Sequence, residues 1–184
     1  MFKKRLFYFF YNQKKRKIKR ELSNLSYEDA EKILLLAKVV HQDHLDELYQ
    51  LISKLTFDAK KFHIIVWIEK KNVLHLPILK NISYISSKDF TFYDVPKKSA
   101  PFLKIFHENF DLYMDLLTDR DLHFMWLAEF NFARFKTGFD RFDRHVFDVN
   151  VSIPTNEQFS LIENFNIFVK YLSWFGKKNE KHEK

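Results

Sequence analysis

Three groups of side chains have the types and spacing to do chemistry. His41, Asp43 and His44 place two imidazoles three residues apart beside a carboxylate. That set could ligate a divalent metal; the same residues equally suit an exposed turn that opens a helix. Asp111 and Asp115 stand four apart in an apolar run, so as a strand they share a face. Asp115 then leads into Thr118, Asp119 and Asp121. Carboxylates gathered there could hold a cation or act as a base, or they could be solvated loop residues and helix caps. The third group is Asp140, Arg141, Asp143, Arg144 and His145. Its alternating signs suit weak surface ion pairs, although Arg141 and Arg144 could bind an anion. No Ser/His/Asp arrangement stands in a usable context, so no catalytic or metal-ligating residue is assigned. The ligand-binding alternative is a pocket at a sheet edge built from His41, Asp115 and Thr118.

Two scarcities narrow the chemistry further. The chain has no cysteine, which excludes a disulfide framework, thiolate metal sites and a cysteine nucleophile. Its only glycines are Gly138 and Gly176. Phosphate-cradling loops need glycine where backbone must approach the ligand closely. The turn Val39–His44 contains none, so no nucleotide cofactor, and no cofactor of any other kind, is expected.

Charge is distributed unevenly. The net charge of +7 comes from residues 1–20, which carry Lys3, Lys4, Arg5, Lys14, Lys15, Arg16, Lys17, Lys19 and Arg20 and no acid. The rest of the chain has 22 basic and 24 acidic side chains. A basic domain would suggest nucleic-acid binding, but here the charge belongs to an arm. Three readings of that arm follow. It could lie on an anionic membrane, with Phe2, Leu6, Phe7, Phe9 and Phe10 entering the interface. It could bind RNA or DNA phosphates, with Tyr8 to Tyr11 stacking on bases. Or it could be a helix whose aromatic side docks on the domain while its charges stay solvated. Its position decides: packed on the body it is structural, and projecting freely it is a tether.

The positioning elements follow from periodicity. Lys32–Val40 is a continuous apolar run that reads as a strand buried on both faces, with a helix as the alternative. His44–Phe57 has helical spacing, and Phe62–Ile68 is β-branched and aromatic throughout. A short strand over Ile82–Ile85, an irregular connection over Phe90–Pro96 and a helix over Lys98–Asn109 come next. A strand over Phe110–Leu117, a helix over Asp121–Asn131 and strands over Arg134–Phe139 and Val146–Ile153 follow. Pro154 and Thr155 open a last helix, which Gly176 stops. Strands alternating with helices indicate an α/β, Rossmann-like three-layer sandwich with a mainly parallel sheet, preceded by the basic arm. The expected division is an arm over 1–25, one domain over 26–176 and a polar tail over 177–184. No apolar run approaches a membrane span, and Leu6–Tyr11 is too short for a secretory signal. A cytoplasmic location is expected, peripheral to the inner membrane surface if the arm meets lipid.

Ser87-Lys88-Asp89-Phe90-Thr91-Phe92-Tyr93, Phe110-Asp111-Leu112-Tyr113-Met114-Asp115-Leu116 and Ala133-Arg134-Phe135-Lys136-Thr137-Gly138-Phe139 are similar to the landmarks of an uncharacterised family found in Bacteroidetes. The resemblance covers roughly residues 30–175 and implies an α/β fold and a cytoplasmic location, with no activity. Residues 110–138 also resemble the N-terminal half of heptosyltransferase-type glycosyltransferases, where a strand, a helix and an Arg-x-Gly strand occur in this order. Those enzymes bind their nucleotide-sugar mainly through a second domain, for which this chain is too short. That resemblance implies a half-domain reused for binding or assembly. A non-catalytic α/β protein tethered by its arm to an anionic partner, an RNA-containing assembly or a membrane surface, is the resulting expectation. A small-molecule binder at the sheet edge is the alternative, and a protein partner is compatible with either.

Overall fold

A computed structural model describes residues 2–15, 25–56, 61–69, 76, 78–142, 145–152 and 159–179. Six strands form one sheet: β1 (Lys32–Val39), β2 (Lys61–Ile68), β3 (Ile82–Ile85), β4 (Leu112–Asp115), β5 (Phe135–Phe139) and β6 (Val149–Val151). Every pairing is parallel, and the spatial order is β3-β2-β1-β4-β5-β6. This is the Rossmann-like order, in which the winding reverses between β1 and β4.

β1 is the central strand, paired with β2 on one side and β4 on the other. Its apolar run is therefore covered on both faces, which resolves the helix-or-strand ambiguity. Ile33, Leu35, Ala37 and Val39 enter one core, while Leu34 and Leu36 enter the other. The helices α2 (Gln42–Thr56) and α5 (Leu161–Asn179) cover the first face. On the opposite face lie α3 (Phe102–Phe106) and α4 (Leu122–Phe130).

α4 is apolar almost all round, with Phe124, Met125, Trp126, Leu127, Ala128 and Phe130 buried. A helix of that kind needs cover on both sides. The sheet supplies one side, and the N-terminal helix α1 (Phe2–Lys15) supplies part of the other. Residues 2–15 thus form a further layer packed on the body.

Several boundaries differ from the sequence expectation. The helix expected over Lys98–Asn109 is confined to Phe102–Phe106. Before it the chain turns, with the Ala100 N–H donating to the Lys97 carbonyl, and after it Phe110 is drawn into the core. Among the described residues the last strand covers Val149–Val151, and Val146 and Phe147 ahead of it are buried in the core shared with α4. α5 continues past Gly176 to Asn179; a glycine weakens a helix by about 1 kcal/mol without ending it. Its expected opening at Pro154 and Thr155 lies outside the described residues.

Candidate functional site

At the winding reversal, β1 leaves the sheet toward α2 and β4 leaves toward α4 on the other face. A crevice of about 260 Å³ opens between these strand ends. Lys38, Val40, His44 and Glu47 line it from β1 and α2. Leu116, Leu117, Thr118 and Asp119 line it from beyond β4, and Phe159, Leu161 and Asn164 close it from the α5 side.

Backbone amides around this crevice are taken by the chain itself. The Val40 N–H donates to His44 Nδ1 at 3.3 Å. The Leu116 N–H donates to the Leu36 carbonyl at 3.0 Å, and the Leu117 N–H to Asp115 Oδ1 at 3.1 Å. At the start of α5, the Leu161 N–H donates to Glu47 Oε2 at 2.9 Å. Related folds use amides at this position to cradle phosphate; these four are already satisfied by internal acceptors. The glycine-free turn after β1 is closed instead by the His44 imidazole.

Lys38 is paired with Asp119 at 2.7 Å and Glu69 at 3.0 Å. Burial works to lower its pKa, but the hydrogen bonds and charges of Asp119 and Glu69 prevail and raise it. Asn164 donates through Nδ2 to the Leu116 carbonyl at 3.0 Å, which fixes the orientation of its amide. Asn164 Oδ1 is buried and accepts no hydrogen bond.

Of the residues expected at the sheet edge, Thr118 lines the crevice. His41 is exposed outside that lining, 5.8 Å from His44 between ring centres. Asp115 is fully buried under the strand end. There it accepts from the Arg141 guanidinium and, at 3.1 Å, from the Tyr113 hydroxyl. Burial raises the Asp115 carboxyl above its ordinary pKa, while Arg141, the Leu117 N–H and Tyr113 pull it back. Tyr113 is pushed well above its ordinary value by burial, and by the charge of Asp115. Arg141 is therefore a buried structural partner rather than a surface anion ligand; Arg144 lies outside the described residues. Asp111 does not join Asp115, but accepts the Glu31 and Lys32 N–H groups at 3.1 and 3.0 Å. Among the described residues, no group of three or more His, Cys, Asp or Glu could hold a metal ion.

A second cluster escaped the sequence reading. His123 Nε2 lies 2.9 Å from Asp94 Oδ1 and its Nδ1 lies 2.6 Å from Asp121 Oδ1. The ring packs against Trp67 and Phe90, at centroid distances of 5.0 and 4.6 Å. Asp94 has φ of 60°, a left-handed conformation for a buried residue that no local pattern announced.

The basic helix is bound to the body along one side. Phe7 and Tyr11 are fully buried, with Phe7 against Trp126 and Tyr11 against Trp126 and Phe130. The Tyr11 hydroxyl donates to Glu129 Oε2 at 2.7 Å. Lys3 pairs with Asp94 at 2.8 Å and Lys15 with Glu129 at 3.0 Å. Lys14 lies over the Trp126 and Phe130 rings. Lys4 and Arg5 are exposed, while Arg16, Lys17, Lys19 and Arg20 fall outside the described residues.

The other side of α1 meets a loop from the body. Phe9 and Phe10 are in contact at 5.4 Å, Phe10 and Tyr93 at 6.2 Å, and Tyr93 and Phe92 at 5.6 Å. Phe9, Phe10 and Phe92 are 54%, 37% and 74% exposed, so the four rings form a continuous ridge open to solvent. Lys3 lies over Phe92, Arg5 is exposed one turn before Phe9 on α1, and Lys97 and Lys98 are exposed beyond the loop.

The segments that carried the family resemblance have structural work. Ser86 Oγ accepts the Lys88 N–H and Asp89 accepts the Ser86 N–H, a capping box that starts a short 3-10 turn, and Phe90 stacks on Phe102. Lys136 Nζ donates to the Ala128 and Glu129 carbonyls at the end of α4, both at 2.8 Å. Gly138 leaves room for the Phe147 ring. No helix among the described residues is long and apolar enough to cross a membrane. Neither a curated protein nor a solved structure matches the chain. A family model does match, over residues 3–175, and the chain belongs to that family of unknown function, DUF6913.

Proposed function

We propose that this chain is a non-catalytic α/β module that docks on an anionic lipid surface through the outer side of α1 and the adjoining loop at Phe92. The supporting observation is the ridge Phe9–Phe10–Tyr93–Phe92, assembled from two distant segments and bordered by lysine and arginine. Contiguous exposed apolar surface with a polar border marks an interaction site. Aromatic rings are at home in the bilayer interface. Basic residues beside an anionic leaflet each contribute about 1 kcal/mol. Arg5, Lys97 and Lys98 would supply about 3 kcal/mol on that scale, and partial insertion of the rings adds to it. In this reading α1 is structural on one side and adhesive on the other.

Co-flotation with vesicles tests the reading. The full chain is expected to float with phosphatidylcholine vesicles containing phosphatidylserine and not with phosphatidylcholine alone. Phe9→Ser combined with Phe92→Ser should abolish flotation while leaving the fold intact. Absence of binding to the anionic vesicles, or binding confined to a single-stranded RNA oligonucleotide, would overturn it.

A further inference from the structure

The aromatic ridge joins two segments far apart in sequence, and one side chain ties them together. Resting on the lipid reading, we infer that Asp94 is the positioning residue of the ridge: a single carboxylate oxygen fastens the ring-bearing loop to α1 and α4, and so presents the four rings as one surface. Lys3 Nζ of α1 lies 2.8 Å from Asp94 Oδ1, and His123 Nε2 of α4 lies 2.9 Å from the same oxygen. His123 is fixed in turn by Asp121 at the start of α4 and by the Phe90 ring at the base of the loop. Lys3 also lies 5.7 Å over the Phe92 ring, so the cation that Asp94 holds touches the ridge itself.

The backbone points to the same role. Phe90 bridges to Pro96, and the Thr91 N–H donates to the Val95 carbonyl at 2.7 Å. Phe92, Tyr93 and Asp94 are thus the three-residue tip of a hairpin, closed by the Asp94 N–H donating to the Thr91 carbonyl at 3.0 Å. Tips of this length commonly end in a left-handed residue, a place suited to glycine. Here that residue has φ of 60° and is an aspartate, whose side chain is only 9% exposed. A Cβ is strained in that conformation, and a buried carboxylate is costly unless it is paired. Turn formation alone would favour glycine; the two pairings account for aspartate. Held in this way, Tyr93 meets Phe10 and the rings can enter a bilayer together. Released, the two halves of the ridge would have to be ordered separately on binding, which weakens it.

Asp94→Gly tests the role, because glycine accepts the left-handed backbone and the change removes the carboxylate. It also removes a negative charge beside an anionic surface and frees Lys3, so charge alone predicts tighter binding. Positioning predicts the opposite. Affinity for phosphatidylserine-containing vesicles should fall roughly fivefold or more, with urea denaturation confirming that the variant is folded. Asp94→Asn, which keeps an acceptor oxygen for both partners, should recover part of the loss. In the absence of lipid, the nuclear Overhauser contact between the Phe10 and Tyr93 rings should be present in the unsubstituted chain and lost in Asp94→Gly. Equal or tighter vesicle binding by Asp94→Gly, or a retained Phe10–Tyr93 contact, overturns the inference while the lipid reading stands. Failure of the unsubstituted chain to float overturns the lipid reading and this inference with it.

Discussion

The Arg141 guanidinium closes over the Asp115 carboxylate at the C-terminal end of β4, with both side chains sealed from solvent. Twenty-six positions separate them in sequence, and Arg141 also donates to the Leu117 carbonyl. The pair joins the end of β4 to the segment that follows β5, directly behind the crevice lining at Leu117.

Removing one member of that pair leaves an uncompensated buried charge. Arg141→Met is expected to destabilise the fold by ~3–5 kcal/mol. Arg141→Met together with Asp115→Leu should recover much of that loss, because the double variant buries no charge. Urea denaturation of the two single variants and the double variant measures the coupling. A double variant as unstable as the sum of the singles would show that the pair does not act as a unit.

Gly138 is required by space rather than by backbone angle. A Cβ there would lie 2.3 Å from Phe147 Cζ and within 2.7 Å of two further ring atoms. Gly138→Ala is therefore expected to cost ~1–3 kcal/mol through overpacking. Phe147→Leu in the same chain should relieve part of it. Denaturation midpoints of the single and the double variant test this.

The sheet was legible because its strands are apolar on both faces. Leu34 and Leu36 serve one core and Ile33 and Leu35 the other, and such a run leaves a central parallel strand as its economical reading. The turn after β1 lacks glycine, and there the Val40 N–H donates to the His44 imidazole instead. What could not be read was the partnership of polar residues. Asp115 was grouped with Asp119 and Asp121 because they are near in sequence, yet its partner is Arg141. That contact exists only once β4 and β5 are adjacent. His123 between Asp94 and Asp121 is another product of tertiary folding, since Asp94 reaches it from a loop ahead of α3. The aromatic arm carries rings on more than one side because they have separate neighbours, α4 for Phe7 and Tyr11 and the loop at Tyr93 for Phe10.

His63 gives the fold a component of acid sensitivity. It lies on β2 with Nε2 3.1 Å from Ser83 Oγ, and its pKa is lowered from 6.5, first by burial and further by Lys32, against the pull of Glu108. The unfolded chain takes up a proton near the ordinary value while the folded chain resists it. The stability that His63 contributes is thus present above the unfolded pKa and lost as pH falls through the depressed folded value. His63→Gln should shallow the fall in unfolding free energy between neutral pH and about pH 5. An unchanged slope would remove His63 from the account.

The two sides of α1 should separate cleanly by mutation. Phe7 is buried against Trp126 and Tyr11, so Phe7→Ala leaves a cavity over α4 and is expected to cost ~3–5 kcal/mol. Phe9 is 54% exposed and touches Phe10, so Phe9→Ala should change stability by no more than ~0.5 kcal/mol. Vesicle binding should respond in the opposite sense. Phe9→Ala weakens it in a protein of wild-type stability, whereas Phe7→Ala leaves it intact at denaturant-free temperatures where the variant remains folded. If Phe9→Ala proved as destabilising as Phe7→Ala, the ridge would be a packing surface and the adhesive role of α1 would fall with it.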